Sequence, residues 1–165
     1  MDWIILFLLV MGFALVAVWA RRKRASKGNW IVVDGSNVLY WDRETPDLQS
    51  VRHVVGILKS EGFDPVVWFD ANVGYLIGSR FMGAAVLADA LGLPRRQVYV
   101  APKGTPADPL LLEGAEALGA RVVTNDRFRD WEDRFPRIRE DGFLVRGFIT
   151  SNEIGLEWER GAAKS

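Results

Sequence analysis

The stretch Ile31–Tyr40, IVVDGSNVLY, puts an aspartate where a run of β-branched residues stops and a small polar turn begins. Ile31, Val32 and Val33 read as a buried strand, because three apolar residues in a row leave neither face of the strand for water. Gly35 and Ser36 then supply ordinary turn chemistry. Asp34 is therefore either a turn residue or the first carboxylate of a site at the carboxyl end of a strand, where open α/β sheets bind their ligands.

The order of elements around this stretch favours an α/β fold with a mainly parallel sheet of about five strands. Strands are expected at residues 30–33, 65–69, 97–100, 121–123 and 143–148. Helices are expected at 48–60, 75–91 and 106–118, with a short one after Asp126. The first helix carries Leu48, Val51, Val54, Val55 and Leu58 on one face, and Gly62 and Gly119 stand where helices close.

Upstream, Trp3 to Ala20 contains no charged residue, and a helix of that length spans roughly 27 Å, close to a bilayer core. Trp3 and Trp19 mark its ends, and Arg21, Arg22, Lys23 and Arg24 follow at once. A cleavable signal peptide would have its positive charge before the apolar run, so residues 3–20 read as a transmembrane helix. Residues 21–29 are a basic juxtamembrane linker, and residues 30–160 the folded domain. The basic cluster places that domain in the cytoplasm, as a single-pass inner-membrane protein would hold it.

The chain is formally neutral, with 21 basic and 21 acidic residues. Five of the basic residues and one acid precede Gly28, leaving 16 against 20 and a net of −4 on the domain. That balance argues against broad, nonspecific adhesion to nucleic acid. The lack of cysteine fits a reducing compartment and rules out a thiol nucleophile.

Acids recur after the other expected strands. Asp70 follows the second strand, Asp108 opens the helix after the third, and Asp126 and Asp130 follow the fourth. Carboxylates gathered on one rim raise each other's pKa unless a cation offsets them, and oxygen ligands without His or Cys suit Mg²⁺ or Mn²⁺. Each acid also has a local reading. Thr105-Pro106-Ala107-Asp108 has capping-box spacing, Asp126 and Asp130 suit a helix N-terminus, and Asp70 suits a turn. His53 is the lone histidine, in mid-helix, and neither a nucleophile elbow nor a phosphate-binding glycine loop is present. Trp41, near Asp34, is a candidate for stacking on a base.

Val32–Val38, VVDGSNV, the Asp108 region and Val123–Trp131, VTNDRFRDW, together resemble the NYN branch of the PIN-like ribonucleases, of the regnase (MCPIP) type. The resemblance implies a PIN-like three-layer fold and a metal-dependent endoribonuclease that leaves 5′-phosphate and 3′-hydroxyl ends. Asp34, Asp108, Asp126 and Asp130 would hold Mg²⁺ or Mn²⁺, and Asn37 would orient Asp34 or a water. Lys103, Thr124, Arg127 and Arg129 are the candidate contacts to a single-stranded RNA substrate. The sequence departs from the family in having one acid, between Ala107 and Pro109, where the regnase type has a pair, and in lacking its zinc finger. A non-catalytic, membrane-tethered binding module remains the alternative. The first strand ends in DGSN and not D-x-D, which disfavours a haloacid-dehalogenase-like enzyme. Oligomeric state stays open, a homodimer included.

Overall fold

The computed structural model describes residues 28–150 and 153–158. The expected membrane helix, residues 3–20, lies outside them; among the described residues no helix is long and apolar enough to cross a membrane. The first strand, β1 (Trp30–Asp34), runs straight into a single helical turn, α1 (Gly35–Val38). Then come α2 (Leu48–Ser60), β2 (Asp64–Phe69), α3 (Val73–Ile77), α4 (Ala84–Leu91) and β3 (Val98–Val100). The chain continues through α5 (Ala107–Leu118), β4 (Arg121–Val123), β5 (Leu144–Ile149) and β6 (Ile154–Glu157).

The strands form one sheet in the order β3-β2-β1-β4-β5-β6, parallel except for the β5–β6 pair. Val33 lies in register with Val67 of β2 on one side and Val123 of β4 on the other. The chain builds outward from β1 to β2 and β3, then returns to add β4 on the opposite flank. A crevice opens at the carboxyl ends where strand order reverses in this way, between β1 and β4.

Alternation along the central strands divides the core into two layers. Ile31 and Val33, with Val67, Phe69 and Val123, pack on α2 and α4, while Val32, Val66 and Val122 pack on α5. Helix α2 starts at Asp47, whose carboxylate accepts the Gln49 backbone N–H at 2.8 Å. It buries Val51, Val54, Val55 and Leu58. Each such side chain contributes on the order of 1.5–3 kcal/mol before the entropy of ordering is set against it. Gly92 and Gly119 end α4 and α5 in the left-handed conformation, as helix-closing glycines do.

Three expectations are corrected. The helix expected over residues 75–91 is two, because Gly78 is fully extended (φ −163°, ψ 173°) and the segment GSRFMG leaves the helix before Ala84 restarts it. The sheet has a sixth strand, β6, too short and too mixed in polarity to declare itself in the sequence. Between Asp126 and β5 the chain makes two 3₁₀ turns, Arg129–Trp131 and Pro136–Arg139, in place of the expected short α-helix.

Candidate active site

Asp34 ends β1 at the crevice and is 7 % exposed. It caps α1: one carboxylate oxygen accepts the Asn37 backbone N–H at 3.1 Å. The other accepts the Thr124 hydroxyl at 2.9 Å, joining β1 to β4 across the switch point. The Thr124 hydroxyl itself accepts the Asp126 backbone N–H at 3.0 Å, so its one proton is committed to Asp34. The turn reading of Asp34 is thus seen directly, and the same carboxylate stands at the switch point between β1 and β4. Gly35 is required beside it, since a Cβ there would come within 2.5 Å of the Phe69 ring. The Asp70 backbone N–H donates to the Ser36 hydroxyl at 2.8 Å, drawing the end of β2 to the same turn.

Burial pushes the Asp34 carboxyl up from 3.8 to about 7; the hydrogen bonds from Asn37 and Thr124 pull it down, and the charges of Asp108 and Asp70 push it up again. Asp108 is also raised, by burial first and then by Asp126 and Asp70, against a hydrogen bond from Trp131 that lowers it. No cation appears among the groups acting on either carboxyl. Four acids therefore share one rim of uncompensated negative charge: Asp34, Asp70, Asp108 and Asp126.

Asp130 is not among them. It lies exposed in the first turn of the 3₁₀ segment Arg129–Trp131 and acts on neither Asp34 nor Asp108. Asp70 takes its place in the electrostatic cluster, and its position directly after β2 was the signal available for it. Asp108 does not cap its helix: Pro106 holds the cap position without a side-chain bond, and Asp108 sits in the first turn between the buried Ala107 and Pro109. Trp131, the last residue of the VTNDRFRDW stretch, is the side chain that favours the charged form of Asp108. Among the described residues, no group of three or more acidic or histidine side chains stands close enough together to hold a metal ion.

The Asn37 side chain does not reach Asp34. Its carbonyl oxygen accepts Trp41 Nε1 at 2.8 Å and the Asn125 backbone N–H at 2.9 Å. Asn125 in turn clasps the backbone of Gly147, donating to its carbonyl at 2.8 Å and accepting its N–H at 3.1 Å. Trp41 lies against that same glycine, where a Cβ would meet its ring at 2.4 Å. Trp41 is thus a brace for the loop after β4 and not a free stacking platform.

Thr124 is fully buried behind Asp34, which removes it from the surface that a phosphate would touch. Arg127, Arg129 and Lys103 are exposed, and among the described residues none has an acidic partner. Arg134, Arg137 and Arg139 are held by Glu113, Glu140 and the pair Glu132 and Asp133. The arginine-rich segment therefore divides into a free part beside Asp126 and a paired part beyond it.

Residues 27–150 match the family model of the Zc3h12a-like ribonuclease NYN domain, and the chain belongs to that family. The resemblance carried by DGSN and TNDRFRD is borne out at that level. Among solved structures it is similar to nuclear proteinaceous RNase P 2 (PRORP2) from A. thaliana, with 17% identity and a TM-score of 0.60 over 79% of this chain and 30% of that one. A second structure of the Arabidopsis thaliana protein gives 18% identity and a TM-score of 0.58, over 89% of this chain and 34% of that one. At such identities the likeness is one of fold, and this chain spans about a third of those proteins. No curated protein matches the chain.

Proposed function

We propose that the protein is a metal-dependent endoribonuclease acting on single-stranded RNA. The observation that carries the reading is Asp34 buried at the switch point, its carboxyl raised first by that burial and then by two neighbouring acids, with no cation among the groups acting on it. An all-oxygen donor set of this kind fits Mg²⁺ or Mn²⁺, which keep several waters and need only one or two direct carboxylates. Asp34 and Asp108 would hold the ion, with Asp126 and Asp70 reaching it through water; Asp130 would act at longer range. Such an ion, when bound, acidifies water and neutralises charge that develops on a phosphoryl group.

The chain's own residues supply the rest. Thr124 and the Asn37 N–H fix both oxygens of Asp34, so the carboxylate faces the crevice in a single orientation. The Trp131 side chain favours the charged form of Asp108. Asn37, Asn125 and Trp41 keep Asp126 at its height above the sheet, while Arg127 and Arg129 are free to meet phosphates. Cleavage of single-stranded RNA with Mg²⁺ or Mn²⁺, giving 5′-phosphate ends, tests the reading. Activity no greater than that of Asp34→Asn and Asp126→Asn controls would refute it.

The single acid between Ala107 and Pro109 favours the alternative, a tethered module that binds RNA without cutting it. Calorimetry with Mg²⁺ separates the two, since the binding module needs no ion. We also propose that residues 3–20 anchor the domain at the inner membrane, on the strength of their uncharged run and the RRKR that follows. Release of the protein from membranes by alkaline carbonate would exclude that anchor.

A further inference from the structure

One strand over from the acids, the carboxyl ends of β2 and β3 are zipped by the bond from Ala101 N–H to Phe69 carbonyl, 2.8 Å long. A cavity of about 610 Å³ opens there, lined by Asn72, Tyr75, Phe81, Pro102 and Lys103 over a floor of small apolar residues. Tyr75 and Phe81 are each 63% exposed, an unusual cost for two large rings unless something covers them. The loop bearing Phe81 folds back tightly on α3: a Cβ on Gly74 would meet the Met82 backbone nitrogen at 2.3 Å, and this return brings Phe81 to the cavity that Tyr75 also lines.

Charge selects among occupants. No acid lines the cavity, and its one cation, Lys103, has no acidic partner among the described residues. In a domain of net −4 this is a locally positive, apolar slot. It begins at Ala71, the residue after Asp70, and Lys103 stands in the loop that leads into α5 and Asp108. Its size suits a nucleotide, and rings beside a cation suit a base with its phosphate.

We propose that this cavity seats one unpaired nucleobase of the RNA substrate, stacked on Tyr75 and Phe81, with Lys103 on the adjoining phosphate and the Asn72 amide at the base edge. The inference rests on the ribonuclease reading and extends it: the strand crosses the rim from the cavity to Asp34. A base held in a duplex cannot enter, so the slot selects for single strands.

Binding, measured apart from cleavage, tests it. The full-length chain carrying Asp34→Asn is titrated against a labelled single-stranded 12-nucleotide RNA and against the same RNA with an abasic residue at each position in turn. Stacking is worth roughly 5- to 150-fold per base, so Tyr75→Ala and Phe81→Ala should each weaken binding by about 10-fold, with Tyr75→Trp restoring it. One abasic position should cause a similar loss, and that loss should not add to Tyr75→Ala. The rings are exposed, so the melting temperature should hold. Unchanged binding by both alanine variants, in a protein whose native form cleaves RNA, would overturn the cavity and leave the ribonuclease reading standing. Losses that add at every abasic position would overturn it equally. The expected non-additivity in a protein that never cleaves RNA would uphold the cavity and sink the nuclease.

Discussion

Replacing Asp34 by Asn should make the metal-free protein more stable at pH 8. The carboxyl rises from 3.8 to about 7 on folding, so the folded state prefers the protonated form. A raised carboxyl is a cost that grows as pH climbs from about 4 to 7 and is constant above that. At 1.36 kcal/mol for each pK the full cost is about 4 kcal/mol. Asparagine keeps the oxygen that accepts the Asn37 N–H, but its amide nitrogen faces the Thr124 hydroxyl, whose proton loses its acceptor, and this offsets part of the gain. A gain of roughly 2–4 kcal/mol is therefore expected at pH 8 in a chelator. For a domain of about 130 residues that is roughly 7–15 °C in melting temperature. The gain should shrink toward nothing near pH 4, where both proteins are neutral at this position. Added Mg²⁺ should reverse the order, because it stabilises the wild type by mass action and the variant much less. Urea unfolding at several pH values measures all of this. An Asn variant no more stable at pH 8, or a difference that stays flat down to pH 4, would refute the account of Asp34 as a buried, uncompensated acid.

Other consequences are open to the same kind of check. Carboxyl NMR should find Asp34 titrating near 7, and Asp70→Asn or Asp108→Asn should move that midpoint down, since both neighbours raise it. Cleavage should fall by about tenfold for each pH step below 7, where one bound proton opposes the cation. Asp126→Asn should cost at least about 100-fold in rate and Asp130→Asn less than about tenfold, because of these two only Asp126 raises Asp108. Gly147→Ala should destabilise the domain by about 1–3 kcal/mol through its clash with Trp41, read as a lower urea midpoint. Arg127→Ala and Arg129→Ala should each lower the salt slope of RNA binding by about 0.7, whereas Arg139→Ala, already paired, should leave it unchanged.

The sheet was legible because its strands are short β-branched runs followed by acids or turns, and every one of the five expected strands lies within a residue or so of its place. The break at Gly78 was hidden because Tyr75, Leu76 and Ile77 continue smoothly toward Ala84 in composition, and only the tertiary return of the loop onto Gly74 shows where the helix stops. At the candidate site, strand-end position drew attention to Asp34, Asp108 and Asp126. It gave no reason to rank Asp70 above Asp130, since both stand near strand ends, and Asp70 is the one whose charge raises Asp34 and Asp108. The work of Asn37 was equally out of reach: its partner Asn125 is 88 positions away in sequence, and Gly147, which Asn125 clasps, lies 22 further on.

The bond from Thr124 to Asp34 spans 90 residues of chain. Its support by Asn125 needs Gly147, so the rim is finished only when nearly the whole domain has been made. A growing polypeptide still on the ribosome holds Asp34, Asp70 and Asp108 with nothing yet to bring Asp126 beside them. On the ribonuclease reading, cleavage would begin only once β5 has been made, so the message and the ribosome producing the domain would be spared through most of its synthesis.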